Sequence, residues 1–135
     1  MSGENKLETL VANMAAELSP ETFVFVTIKD RSAQDGLTPK MVFQEAEGAT
    51  LIITKAQAEA YKLPYEFPCR MITLNVHSAL EAVGFIASIA TDLAQAGMGV
   101  NPVAGFFHDH LFIPEGREQD AMAILDAKAA AARHL

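Results

Sequence analysis

The hydrophobic pattern of Met71–Ile113 constrains the fold of this chain most strongly, because its period changes within a few residues. In Met71–Val76, branched apolar side chains occupy every second position, which is the period of a strand with one buried face. After Ser78, apolar side chains recur at spacings of three and four, as on one face of a helix. These residues are Leu80, Val83, Ile86, Ala87, Ala90, Leu93 and Ala94. The pattern predicts a strand followed by an amphipathic helix.

The sequence also predicts where this helix begins and ends. Ser78 is followed three residues later by Glu81, the spacing of a capping box, in which two side chains satisfy free backbone N–H groups of the first turn. Gly97 and Gly99 follow Ala96 and favour the open or left-handed backbone that stops a helix. We therefore expect a helix from Ser78 to Ala96.

A β-hairpin is predicted after the helix. Val100–Gly105 has the character of a strand, and the chain must reverse within Phe106–Asp109. His110–Ile113 then returns as a second strand, which Pro114 stops. With the strand and helix before them, these segments predict a β-α-β-β unit.

The first half of the chain predicts a helix and three strands. Asn5–Leu18 carries its apolar residues on one helical stripe. Thr22–Lys29 is apolar nearly throughout, as in a central strand. After a polar loop, Met41–Glu45 and Thr50–Ile53 are separated by a short turn and predict an antiparallel hairpin.

Two further helices and a connector complete the pattern. Thr54 and Gln57 form a second capping box at the start of a short helix, Lys55–Lys62. Leu63–Arg70 contains two prolines and predicts a connector between two halves of the chain. Arg117–Arg133 predicts a last helix. The predicted order is α-β-β-β-α followed by β-α-β-β-α.

Composition narrows the classes of function. With 135 residues, of which 50% are hydrophobic, the chain can bury a core without disulfides. A net charge of −7 with scattered Lys and Arg argues against nucleic acid as a partner. No apolar run approaches the roughly 20 residues needed to cross a bilayer, and the N-terminus lacks the pattern of a signal peptide. The lone Cys69 fits a reducing compartment. We expect a cytoplasmic protein that binds no membrane.

The helix LEAVGFIASIATDLAQAGMGVN and the hairpin AGFFHDHLFI together resemble the core of an ACT domain, the small ferredoxin-like module that senses amino acids in metabolic regulators. The resemblance implies an α+β fold of two ACT-like βαββαβ-type halves, 1–68 and 69–135. Their antiparallel sheets would carry helices on one face and share or exchange strands. It also implies a non-enzymatic regulatory protein that binds a small molecule, an amino acid in particular, and forms a homodimer through a sheet edge or helix face.

The resemblance also implies a position for the ligand. In ACT-domain proteins the ligand sits at an interface, between a strand-to-helix turn and the strand after that helix. The residues at these positions are His77, Ser78, Ala79, Leu80, Val100 and Asn101. A helix starting at Ser78 would offer free N–H groups to a carboxylate, and the Asn101 amide has both donor and acceptor atoms for an amino acid. The alternative is that Ser78 and Glu81 only cap each other.

Two other functions compete with amino-acid binding. His77, His108 and His110 would form the site of a metal-dependent enzyme if the two latter residues share one strand face. If the turn covers Phe107–Asp109, those histidines diverge, so we expect no resident metal and no cofactor. No nucleophile elbow, dinucleotide-binding motif or P-loop is present in the sequence. The other competitor is an ACT-like interaction module without any ligand.

Overall fold

The computed structural model describes residues 6–30, 32, 35–78 and 82–134. Its elements follow the predicted order of helices and strands, and the predicted α+β class is confirmed. They are α1 (Leu7–Asn13), β1 (Ala16–Ile28), β2 (Met41–Glu45), β3 (Gly48–Thr54), α2 (Lys55–Ala60), β4 (Glu66–Leu74), α3 (Phe85–Gln95), β5 (Asn101–Ala104), β6 (Asp109–Pro114) and α4 (Glu118–Arg133).

The chain forms two compact units. One consists of Met1–Pro20 with Arg70–Leu135, and the other of Glu21–Cys69. The long strands β1 and β4 each contribute residues to both units. The strands are therefore shared between the units.

In the unit Glu21–Cys69 the strand order is β2-β3-β1-β4. The predicted hairpin is confirmed, with Glu45 opposite Gly48 across a two-residue turn. Val26 lies opposite Leu51 on the sheet face that packs against α2, where a buried apolar cluster includes Ala58. The predicted cap of α2 is also confirmed, because the backbone N–H of Gln57 donates to Thr54 Oγ1 at 3.2 Å.

In the other unit the strand order is β1-β4-β6-β5. Alternate residues of β4 and β6 pack against the helices α1, α3 and α4, as their two-residue period requires. The cluster has at its centre Leu10, Ile72, Leu74, Ile89, Leu93, Leu111, Ile113 and Leu125. In the described residues no helix is both long enough and apolar enough to cross a membrane.

Three predicted boundaries are wrong. The first helix ends at Asn13, and Leu18 belongs to β1. Residues 14, 16 and 18 can contact the same apolar core from an extended chain as well as from a helix, so their spacing did not decide between the two. The segment Leu63–Arg70 is not only a connector, since β4 begins at Glu66.

The third correction concerns α3, which begins at Phe85 rather than at Ser78. Its buried stripe is Phe85, Ile89 and Leu93, of which the predicted stripe contained only Leu93. Val83, predicted to be buried, is 83% exposed and lies outside the helix. The reason is local, because Gly84 has a left-handed φ of 87° and starts the helix there.

Candidate functional site

A buried carboxylate lies at the start of β6. Asp109 is only 6% exposed, and within the described part of the chain it is the one buried polar or charged residue. Its Oδ2 accepts a hydrogen bond from Ser78 Oγ at 3.0 Å. A carboxylate has about four acceptor positions, and burying it costs free energy unless they are used. One hydroxyl therefore leaves acceptor capacity for a further donor.

A cavity of about 190 Å³ opens beside this hydrogen bond. Its wall combines the end of β5, the start of β6, the first turn of α3 and the chain before α3. The lining residues are Ser78, Ala82, Gly84, Phe85, Ile86, Ala87, Ala104 and Asp109. The volume is enough for several water molecules, so the cavity suits the polar end of a small metabolite.

The first turn of α3 supplies hydrogen-bond donors to the same cavity. Gly84 is the N-cap and has no side chain to cap the helix. The first intrahelical bond is donated by Ser88 N to Gly84 O at 2.9 Å, so the N–H groups of Phe85, Ile86 and Ala87 have no partner within the helix. The positive end of the helix dipole adds to their attraction for an anion. The lining of one small cavity thus includes the start of a helix, which attracts anions, and a carboxylate, which attracts cations.

Ser78 lies at this site, but in a different role from the predicted one. It does not cap α3, which begins seven residues later. Its hydroxyl is instead bonded to Asp109, a residue 31 positions away. The capping partner Glu81 and the predicted site residues Ala79 and Leu80 lie outside the described residues.

The other predicted site residues are divided. His77 is half-buried, with its ring centroid 5.6 Å from that of Phe107. Val100 packs against the apolar core, and Asn101 is exposed and pairs with Phe112 across the hairpin. Neither is among the residues that line the cavity. The residue of β5 that does line the cavity is Ala104, at the end of the strand.

Sequence reasoning missed Asp109 as a site residue, although a signal for it exists. Asp109, Leu111 and Ile113 occupy alternate positions of β6, and all three are buried. A strand that carries an acid on its buried face is unusual, because an isolated charge is costly there. The inward position of Asp109 could therefore have been predicted from the two-residue period of the strand.

His108 and His110 do not belong to a group of metal ligands in the described part of the chain. The ring centroids of His108 and His110 are 6.5 Å apart, and His110 Nδ1 is hydrogen-bonded to Thr73 Oγ1 at 2.9 Å. Across residues 6–30, 32, 35–78 and 82–134, no group of three or more His, Cys, Asp and Glu is placed to hold a metal ion. The loop that reverses the chain runs from Gly105 to His108, which places His108 outside β6.

Gly84 is the residue on which the shape of this cavity depends most directly. We expect Gly84→Ala to lower the free energy of unfolding by about 1 to 2 kcal/mol, because a left-handed φ of 87° strains a residue with a Cβ atom. A steric clash adds little, since the new Cβ would lie 3.9 Å from Leu7 Cδ2. Urea unfolding followed by circular dichroism measures the change.

Gly99→Ala is the matched control for this substitution. Gly99 does not have a positive φ, and nothing lies within 4 Å of a Cβ added there. We expect its unfolding free energy to stay within about 0.5 kcal/mol of the original protein. Equal losses in the two variants would contradict a left-handed start of α3.

Comparisons with known proteins agree with this fold. An ACT-domain family model matches residues 2–70, and a second ACT-domain model matches residues 66–127. A solved structure of a protein of unknown function from Vibrio cholerae, called a possible transport protein, is 38% identical, with a TM-score of 0.83 over 91% of this chain and 95% of that one. A search of the curated proteins returned no match.

More distant solved structures share the fold alone. A protein from Agrobacterium tumefaciens is 12% identical, with a TM-score of 0.70 over 86% of this chain and 89% of that one. The regulatory subunit of aspartate kinase from Thermus thermophilus, in a ligand-free form, is 11% identical, with a TM-score of 0.65 over 87% and 98%. Since two ACT models together span residues 2–127, and the fold has the element order of two such modules, the chain belongs to the ACT-domain family and carries two ACT domains in tandem.

Proposed function

We propose that this protein is a non-enzymatic regulator that binds a free amino acid in the cavity beside Asp109. The observation that carries the proposal is the pairing, in one cavity, of a buried carboxylate with the open N-terminus of α3. The α-ammonium of the ligand binds Asp109, and its carboxylate binds the N–H groups of Phe85, Ile86 and Ala87.

Physical chemistry favours a zwitterion over a singly charged ligand here. A hydrogen bond between charged groups is about twice as strong as a neutral one, and a cavity with little water strengthens it further. A cation alone would leave the donors of α3 unused, whereas an anion alone would lie near the Asp109 carboxylate. A free amino acid satisfies both ends, and Ser78 Oγ, bonded to Asp109 at 3.0 Å, holds that carboxylate in place.

Several finer parts of the proposal rest on the sequence and on relatives. The regulatory role is supported by the similarity to a regulatory subunit of aspartate kinase. The contacts implied by the family resemblance, His77, Val100 and Asn101, stay predictions, and none of the three lines the cavity. The two halves at 1–68 and 69–135 stay predictions as well. A homodimer in the cytoplasm completes the proposal, and the buried thiol of Cys69, the one cysteine of the sequence, is compatible with that reducing compartment.

A calorimetric and thermal-shift screen against the twenty amino acids tests the proposal. A ligand at about one hundred times its dissociation constant stabilises the protein by roughly 2.7 kcal/mol, which means a rise of several degrees in the unfolding midpoint. The amide and the N-acetyl derivative of the best amino acid serve as controls, because each lacks one of its charges. Binding of neither derivative is expected. No response to any of the twenty would contradict amino-acid binding.

A second candidate, an interaction module without a ligand, is favoured by one observation. β2 is an edge strand of the sheet, and it exposes two large apolar side chains, Val42 at 42% and Phe43 at 64%. An exposed apolar edge strand favours pairing with another chain. A flat amino-acid screen, together with a concentration-dependent mass in sedimentation equilibrium, would support this function instead.

A further inference from the structure

Exposed apolar side chains flank, along the chain, the residues that line the Asp109 cavity. Val83 is 83% exposed and stands between two residues that line the cavity, Ala82 and Gly84. Phe106 and Phe107 are 61% and 62% exposed and lie on the four-residue loop between β5 and β6. We call these three residues and His77 the rim.

The loop that carries the two phenylalanines is tightly closed. Gly105 N donates to His108 O at 2.9 Å, and a Cβ atom at Gly105 would lie 2.9 Å from that same oxygen. Since Ala104 and Asp109 at its two ends both line the cavity, Phe106 and Phe107 stay within two residues of the cavity wall. The loop therefore keeps both phenylalanines close, along the chain, to two residues of the cavity wall.

The three rings of the rim also lie close to one another. The ring centroids of Phe106 and Phe107 are 5.0 Å apart in an edge-to-face arrangement. The His77 ring lies 6.4 Å from the first and 5.6 Å from the second. Aromatic pairs of this geometry are favourable, so the rings form a preorganised apolar surface that remains open to solvent.

The polarity of the site therefore changes from inside to outside. Its interior holds the carboxylate of Asp109, the hydroxyl of Ser78 and the N–H groups of α3, whereas its rim is apolar and aromatic. With its charged groups against Asp109 and the first turn of α3, both of which line the cavity, a bound amino acid would have its side chain free to reach the rim.

We propose that the rim selects the side chain of the bound amino acid, and that it favours large apolar side chains, aromatic or branched aliphatic. This inference rests on the proposed function of the same cavity. The exposed faces of Phe106, Phe107 and Val83 are covered when such a side chain binds, which removes apolar surface of both partners from water. Glycine and alanine gain none of this contact.

Isothermal titration calorimetry with glycine, alanine, leucine, phenylalanine and lysine tests the inference. We expect leucine and phenylalanine to bind about tenfold more tightly than alanine, because part of their extra apolar surface is covered at an open rim. In the double variant Phe106→Ser, Phe107→Ser this ratio should fall below about twofold, while the affinity for alanine changes less than about twofold. The double variant Phe106→Leu, Phe107→Leu should keep the preference for leucine.

Phe43→Ser is the matched control, since Phe43 has nearly the same exposure, 64%, and lies on β2. It should leave every ratio unchanged. Equal binding of alanine and leucine to the original protein would overturn the role of the rim and leave the proposed function standing. Tightest binding of lysine would overturn it too, since the rings would then recognise a cation. Absence of binding by all five amino acids would instead contradict the proposed function itself.

Discussion

Asp109→Asn is expected to weaken the binding of the preferred amino acid about a hundredfold. Asparagine keeps the size of the side chain and can still accept the hydrogen bond from Ser78, but it carries no charge to pair with the α-ammonium. Removing one member of a buried, hydrogen-bonded charge pair costs about 2 to 5 kcal/mol of binding free energy, and each factor of ten corresponds to about 1.4 kcal/mol. Calorimetric titration measures the loss.

Two controls separate a binding role of Asp109 from a structural one. Asp126→Asn makes the same chemical change at an exposed position of α4 and should leave affinity unchanged. Without ligand, the Asp109→Asn protein should be at least as stable as the original, because burying a carboxylate costs more than burying an amide. A large fall in the ligand-free unfolding midpoint would indicate a structural role, and an unchanged affinity would contradict the proposed site.

Leu93→Ala is expected to lower the free energy of unfolding by about 3 kcal/mol. Leu93 is fully buried on α3, in the apolar cluster that includes Ile72 and Leu125. Truncating a buried leucine loses the transfer free energy of the removed atoms and leaves a cavity, which together cost about 2 to 5 kcal/mol. In a protein of this size the unfolding midpoint should fall by roughly 10 °C, which scanning calorimetry measures.

Val83→Ala is the informative control for this prediction. In the helix predicted from the sequence, Val83 and Leu93 lie on the same buried stripe, so their truncation should cost similar amounts. With α3 beginning at Phe85 and Val83 83% exposed, its truncation should change stability by less than about 0.5 kcal/mol. A loss of stability comparable to that of Leu93→Ala would contradict the start of α3 at Phe85 and support a start at Ser78.

The parts of the fold that were predictable from the sequence rest on local signals. The hairpin of β2 and β3 has strand periodicity on both sides of a turn, and Thr54 with Gln57 marks the start of α2. The end of α1 was predicted wrongly because two periods fit the same residues, and the start of α3 was predicted wrongly because Gly84 starts the helix later. At Met14 the apolar spacing suits a helix, yet the chain continues as the strand β1, whose apolar residues pack against the same core.

The candidate site was only partly predictable, because its central contact is tertiary. Ser78 was placed at the site, but as a helix cap, since Glu81 lies at the right spacing for one. No local pattern links Ser78 to Asp109, and that pairing forms only when β4 and β6 share a sheet. The turn chemistry of aspartate also competed with the strand period and obscured the inward position of Asp109.

The packing of α1 against α4 determines when this protein can fold during its synthesis. Leu10 and Val11 of α1 share a core with Ala129 of α4, and Arg133 Nη1 donates to Ala12 O at 3.0 Å across 121 residues of chain. A ribosome adds roughly 5 to 20 residues per second, so α1 leaves it on the order of ten seconds before α4 is complete. The part of the first helix that packs on α4 therefore stays uncovered by α4 for that time, and the two helices can dock only after α4 has been synthesised.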